Sequence, residues 1–221
     1  MPLSSGNSGA SLVESVTKFH SNASIEGAFC EHLGDGVCPM VYGIGPGYYT
    51  MERLTDAERS PGLLKEIEDK LEMRVWSRPM QNYDSTANFI EFQKSMGIET
   101  PDWAIPKEFC LIHGDPTVSN AMRRDNGDLI LIDPRAPNGH IPSWKTVDMG
   151  KILQSYFGWE SAAYGEKPVR YERPRFMYDP ELCKQAMFWL EHHVRRIEQY
   201  ETERGLNRFN IRAWCNSILE D

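Results

Sequence analysis

The sequence has no CxxC pair, and its five cysteines, Cys30, Cys38, Cys110, Cys183 and Cys215, are odd in number and widely scattered. That spacing supports neither a disulfide framework nor a cysteine zinc site, so reduced and mostly buried thiols are expected. Long apolar runs are missing too. None approaches the roughly 20 residues that cross a bilayer, and no basic, apolar leader opens the sequence. A cytoplasmic chain with no membrane partner is the expectation. There is no cationic excess either: 24 Lys and Arg face 32 Asp and Glu, for a formal charge of −8. Because nucleic-acid backbone is gripped by neutralising its phosphates with Lys and Arg, no nucleic-acid partner is expected. One local exception is Lys167–Arg175, with four cations in nine residues, which suits either a solvated surface or an anionic ligand. No GxSxG nucleophile elbow occurs. His192 and His193 are adjacent in sequence, so on a helix their side chains diverge by about 100° and cannot form an i, i+4 metal pair.

What is present changes texture near Thr55. Before it, short β-like pieces dominate: Ser11–Phe19, then Val41-Tyr42 and Tyr48–Met51 around a Gly45-Pro46-Gly47 turn. A short helix lies between them, with Ile25, Phe29 and Leu33 as its inward face. After Thr55, helices dominate. Pro61 opens one with Leu63, Ile67, Leu71 and Val75 on a single stripe. A second covers Ser85–Met96 with Phe89, Phe92 and Met96 inward, and a third runs from Thr146 to Phe157. Asp179-Pro180 caps a long helix through Leu182, Ala186, Leu190, Val194 and Ile197, and a last helix spans Ile211–Leu219. Among these blocks Phe109–Ile112 reads as an apolar strand. Ala121-Met122 and Leu129–Ile132 read as a hairpin closed by Asp125-Asn126-Gly127-Asp128.

Polar chemistry concentrates between those strands, in His113-Gly114-Asp115-Pro116-Thr117-Val118-Ser119-Asn120 and again at Asp133 behind Leu129–Ile132. Phosphoryl transfer needs a carboxylate near the attacking hydroxyl and hard oxygen ligands for Mg²⁺. A loop with Asp115 and Asn120 at its two ends, followed by a hairpin that returns Asp133, brings all three groups within reach of one ion. Ser119 is read as loop filler or a phosphate contact. The aromatics Trp144, Tyr156, Phe157 and Trp159 suit either an acceptor pocket or the core.

The HGD opening, the Asn five positions after the Asp, and the second Asp at hairpin distance resemble the aminoglycoside phosphotransferase and choline kinase-like family, relatives of protein kinases. The resemblance implies an α+β, bilobal protein kinase-like fold. Its reduced β-rich N-terminal lobe and hinge would span 1–54 and its helical C-terminal lobe 55–221. It implies ATP and Mg²⁺ as cofactors, Asp115 as the catalytic base or hydroxyl-orienting group, Asn120 and Asp133 as metal ligands, and His113 as a brace for the loop. Asp148 resembles the family's downstream Asp that supports the catalytic loop; a plain helix N-terminal acid is the alternative. After Asp133 the chain departs from the commonest pattern. Pro134-Arg135 stands where many relatives carry a bulky residue, and Pro137, Asn138 and Gly139 follow. This is closer to sugar- or polysaccharide-associated kinase-like proteins, and Arg135 is read either as a phosphate or substrate contact or as partner to a local carboxylate.

Before Thr55 the same order of parts recurs. Ser8 and Gly9, in a Gly- and Ser-rich stretch, suit a phosphate-approaching loop. Lys18 resembles the strand lysine aimed at the α and β phosphates, and Glu26 its helix acid, with Glu31 as the competing choice. The segment from Tyr49 to Leu54, which includes Glu52, resembles the adenine-binding hinge. The implied reaction is transfer of the ATP γ-phosphoryl group to a hydroxyl of a small molecule: a sugar, polyol or amino-alcohol. A protein acceptor, AMP transfer and a catalytically inactive nucleotide-binding scaffold are the alternatives.

Overall fold

The structure, a computed structural model, describes residues 14–80, 90–91, 94–95, 97, 99–106, 108–137, 142–200, 213–215 and 217. Ser8 and Gly9 lie outside the described residues, as does most of the helix expected over Ser85–Met96.

The first sheet contains β1 (Ser15–Phe19), β2 (Val41–Gly45) and β3 (Tyr48–Glu52), antiparallel in the order β1-β3-β2. Pro46 and Gly47 close the β2–β3 hairpin, with Gly47 at φ 75° supplying the conformation that a side chain disfavours. Helix α1 (Ala23–Leu33) packs on this sheet, but its inward face differs from the expected one. Ile25 is 64% exposed, and the buried positions are Ala23, Gly27, Phe29, Cys30 and Leu33. The reason is local. A Cβ on Gly27 would lie 2.8 Å from the Tyr49 Cβ, so the helix turns its glycine to the sheet to let that ring approach, and Ile25 rotates outward.

The second sheet, β4 (Thr55–Asp56), β5 (Ala121–Arg123) and β6 (Leu129–Leu131), is antiparallel in that order. Its β5–β6 turn includes Gly127 at φ 88°. The second sheet is tied to the first half of the chain at two points: the Leu131 N–H donates at 2.8 Å to the carbonyl of Val37, in the connection between α1 and β2, and Arg124, just after β5, pairs with Glu52 of β3. A single apolar cluster runs from Ala23 through Ile67, Ile112 and Leu131 to Trp189 and Trp214.

Helix α2 (Leu63–Leu71) carries the expected stripe, with Leu63, Ile67, Leu71 and Val75 fully buried. It continues as one π-helical turn, Glu72–Trp76, which sequence periodicity did not foresee. That wider turn brings both Val75 and Trp76 inward. Phe109–Ile112 is a correction: it forms only an isolated bridge, Pro79 to Cys110. Its backbone is satisfied from two different neighbours, Leu111 N–H to Arg78 and Cys110 N–H to Ser143, so no ladder develops. Helix α3 (Lys145–Tyr156) is followed, after Gly158, by the short α4 (Trp159–Tyr164). Helix α5 (Pro180–Tyr200) begins where Asp179 Oδ1 accepts the Glu181 and Leu182 N–H groups at 2.9 and 3.1 Å. Of the last expected helix, 213–215 and 217 are described and helical. Among the described residues no helix is long and apolar enough to cross a membrane.

Replacing Ile67 by Ala is expected to cost about 2–5 kcal/mol through a buried cavity. Urea unfolding would register this as a lower midpoint at an unchanged slope.

Candidate functional site

The loop 113–120 is set by its own backbone. Gly114, at φ 84°, presses against the segment after Asp133; a Cβ there would lie 2.3 Å from the Arg135 carbonyl oxygen. Only glycine fits between His113 and Asp115. Two further bonds zip the loop to that segment: Ile132 N–H to the Asn120 carbonyl at 2.9 Å, and Arg135 N–H to the His113 carbonyl at 2.8 Å. They bring the ends of the loop, and Asp133 between them, into one place.

Beneath the loop sits Asp148, fully buried in the first turn of α3. Its carboxylate accepts the N–H groups of His113 at 2.9 Å and Gly114 at 2.7 Å, together with Trp76 Nε1–H at 3.0 Å. Burial pushes its pKa up to about 6 against these three donors. A helix-terminal acid acting on the dipole would not hold two loop amides, so the geometry is that of a clamp. His113 is likewise fully buried. Its Nδ1 accepts the Asp115 N–H at 3.3 Å, leaving the ring proton on Nε2 beside the Leu131 backbone. Burial lowers its pKa to about 4, so the ring is neutral.

The Asp115 carboxylate meets two cations, Lys151 Nζ at 3.0 Å from Oδ1 and Arg135 Nε at 3.3 Å from Oδ2. Burial would raise its pKa, but Lys151 and then Arg135 outweigh this and hold it below the ordinary carboxylate range. Asn120 Nδ2 donates to the Asp115 carbonyl at 2.8 Å, which orients the amide. Asp133 has φ 58°, the one non-glycine residue with positive φ among those described, and strain of this kind tends to gather at functional sites. Its carboxylate contacts the Lys18 ammonium.

Lys18, in β1, bridges the two halves of the site. It also bonds Glu26 Oε1 at 3.2 Å, and Tyr49 Oη donates to that same oxygen at 2.5 Å. His20 Nε2 lies 3.2 Å from Glu26 Oε2. Glu31, the competing acid, points to solvent. A continuous path of contacts therefore runs Glu26, Lys18, Asp133, Ile132, Asn120, Asp115, Arg135. Glu52 is not free for a ligand. Its carboxylate is held by Arg124 at 2.5 Å and its N–H by the Met40 carbonyl at 2.9 Å; the next donor, Arg53 N–H, goes to Glu14. Leu54 follows it, partly exposed.

Sequence reasoning missed Lys151 and Tyr49. Lys151 lies one helical turn after Asp148, and that i, i+3 spacing on one helix face was the available signal. The candidate pocket aromatics divide, with Trp144 and Trp159 in the core and Phe157 exposed. Trp144 packs edge-on against Trp189. In the cationic stretch Arg175 pairs with Asp69, and Arg173 lies over the Tyr178 ring at 4.8 Å.

No family model matches the chain, and no curated protein matches it in sequence. A solved structure from Haemophilus somnus 129PT, provisionally assigned as a fructosamine-3-kinase, superimposes with a TM-score of 0.53 over 93% of this chain and 83% of that one, at 13% identity. At that identity the likeness speaks for the fold alone: a mixed arrangement of helices and small sheets similar to that of the solved structure.

His113 and Asp148 generate opposed pH terms. For His113 the folded pKa lies below the ordinary 6.5, so its contribution is complete above 6.5 and is lost as pH falls through about 4. For Asp148 the folded pKa lies above the ordinary 3.8, so its contribution is present below 3.8 and lost as pH rises through about 6. The stability difference between wild type and His113→Gln should therefore grow with pH between these His113 limits, by about 1.4 kcal/mol per unit. Urea titrations at stepped pH check this, and a flat difference would refute a buried neutral ring.

Proposed function

We propose that this protein is an ATP- and Mg²⁺-dependent phosphotransferase that moves the γ-phosphoryl group to a hydroxyl of a small molecule such as a sugar or polyol. The observation that carries this reading is the single path of contacts linking the Glu26–Lys18 pair to Asp133, Asn120 and Asp115. A cation on one side, oxygen ligands in the middle and a carboxylate at the far end is the order in which a nucleotide's phosphates, a metal and an acceptor would be met.

The donor set fits Mg²⁺. Among the described residues no group of three His, Cys, Asp or Glu side chains gathers, but Mg²⁺ on a nucleotide takes one or two protein carboxylates and fills its shell with phosphate oxygens and water. The Asp133 carboxylate already attracts a cation in the Lys18 ammonium, and the Asn120 amide, oriented by its bond to the Asp115 carbonyl, offers its oxygen as a second ligand. These two residues would hold the ion, which when bound supplies charge neutralisation across the phosphates. Lys18 would then exchange its contact with Asp133 for phosphate oxygens while Glu26, braced by Tyr49, keeps it aimed.

Asp115 needs little basicity, because transfer proceeds through a loose transition state in which positioning and charge neutralisation dominate. Its carboxylate, held ionised by Lys151 and Arg135, orients the acceptor hydroxyl and receives its proton as transfer completes. Asp148 and His113 keep the loop backbone where that geometry requires it.

Two variants separate the roles. Asp115→Asn should abolish turnover and leave the affinity for an ATP analogue with Mg²⁺ nearly intact; undiminished turnover would defeat the assignment. Asp133→Asn, which the left-handed backbone at this position accepts, should strongly weaken the Mg²⁺-dependent part of nucleotide affinity, as read by calorimetry with and without the metal.

A further inference from the structure

The two cations on Asp115 are not equivalent. Lys151 comes from the buried face region of α3 and its side chain is only 14% exposed, whereas Arg135 is 47% exposed. Lys151 by itself balances the charge of Asp115. The neighbouring acids are already met: Asp148 by three N–H donors, and Asp133 and Glu26 by Lys18. Arg135 is the second cation on Asp115 and, at 47% exposed against 24% for Lys18 and 14% for Lys151, the cation of the site most open to an incoming anion.

Arg135 is also anchored in an uneven way. Its backbone is fixed, with N–H on the His113 carbonyl and its own carbonyl packed against Gly114. Its side chain reaches Asp115 through Nε alone, at a long 3.3 Å. A guanidinium is a planar fork that binds carboxylate or phosphate through two parallel N–H bonds, and that mode is unused here. A rigid base with an open, half-solvated fork suits capture of an anion that arrives with the acceptor.

We propose that Arg135 is an acceptor-recognition residue and that the acceptor is an anionic hydroxyl compound, carrying a carboxylate or phosphate as well as the hydroxyl that is phosphorylated. This rests on the phosphotransferase reading above and narrows its substrate class. On binding, Arg135 leaves Asp115 Oδ2 for the acceptor's anion, and the vacated oxygen accepts the acceptor's O–H. Lys151 stays on Oδ1 and keeps the carboxylate in place. Neutral polyols cannot trigger that exchange, so they would meet an Asp115 with both oxygens engaged.

The test uses three probes with the full chain, Mg²⁺ and ATP: sorbitol, gluconate and sorbitol 6-phosphate. Transfer to at least one anionic probe should exceed transfer to sorbitol by roughly tenfold to a hundredfold in kcat/KM, the usual worth of a charge-assisted bidentate contact. Arg135→Gln should erase that preference mainly through KM, and Arg135→Lys should keep part of it. The anion on Arg135 could instead be the terminal phosphate of the nucleotide, so the affinity of Arg135→Gln for a non-hydrolysable ATP analogue with Mg²⁺ is measured alongside. Unchanged affinity supports the acceptor assignment, and a roughly tenfold loss overturns it. Equal use of sorbitol, a preference that survives Arg135→Gln, or no transfer to any of the three probes also overturns it. The wider kinase reading fails separately, if the wild type shows no Mg²⁺-dependent binding of the analogue.

Discussion

Asp148 draws together three stretches of chain that lie far apart in sequence: its own helix α3, the π-helical end of α2 through Trp76, and the loop that begins at His113. A carboxylate withdrawn from water costs several kcal/mol unless it is met by donors, and here three N–H groups meet it. The same bonds deny the loop any other place to rest. His113 and Gly114 cannot move without leaving a buried charge uncompensated, and Asp115 follows them in the chain. The position of the candidate base is thus a consequence of how a buried acid is satisfied.

Above that foundation the charges are arranged in sequence and not merely mixed. Glu26 holds Lys18, Lys18 reaches Asp133, and Asp115 carries two cations of unequal exposure. Each acid has a partner, so the site is stable without a ligand. Among the cations, Lys18 and Lys151 are mostly buried, whereas Arg135 is half-exposed and can be exchanged for something else. Such an exposed contact contributes little to stability, since solvent screens it, and this leaves it available for binding.

Much of this was legible in sequence where the cause was local. Asp179-Pro180 sets the start of α5 because an Asx cap acts within three residues, and the α2 stripe follows from helical period alone. The spacing of Asp115, Asn120 and Asp133 encodes a loop followed by a hairpin, and the backbone bonds of that loop and hairpin draw the three residues together. Three features were hidden because a distant partner decides them. Ile25 faces out because Tyr49 claims the surface beside Gly27. Phe109–Ile112 is apolar like a strand, but its bonds go to Arg78 and Ser143. Lys151 looks like any helix-surface lysine until Asp115 is brought beside it.

The left-handed backbone of Asp133 limits what could ever replace it. Glycine and asparagine settle into that conformation readily, and branched or bulky side chains do not. Most of the amino-acid alphabet is therefore closed at this position by geometry before chemistry is consulted. Loss of the acid at this point in the chain is thus tolerated by the backbone chiefly where glycine or asparagine takes its place.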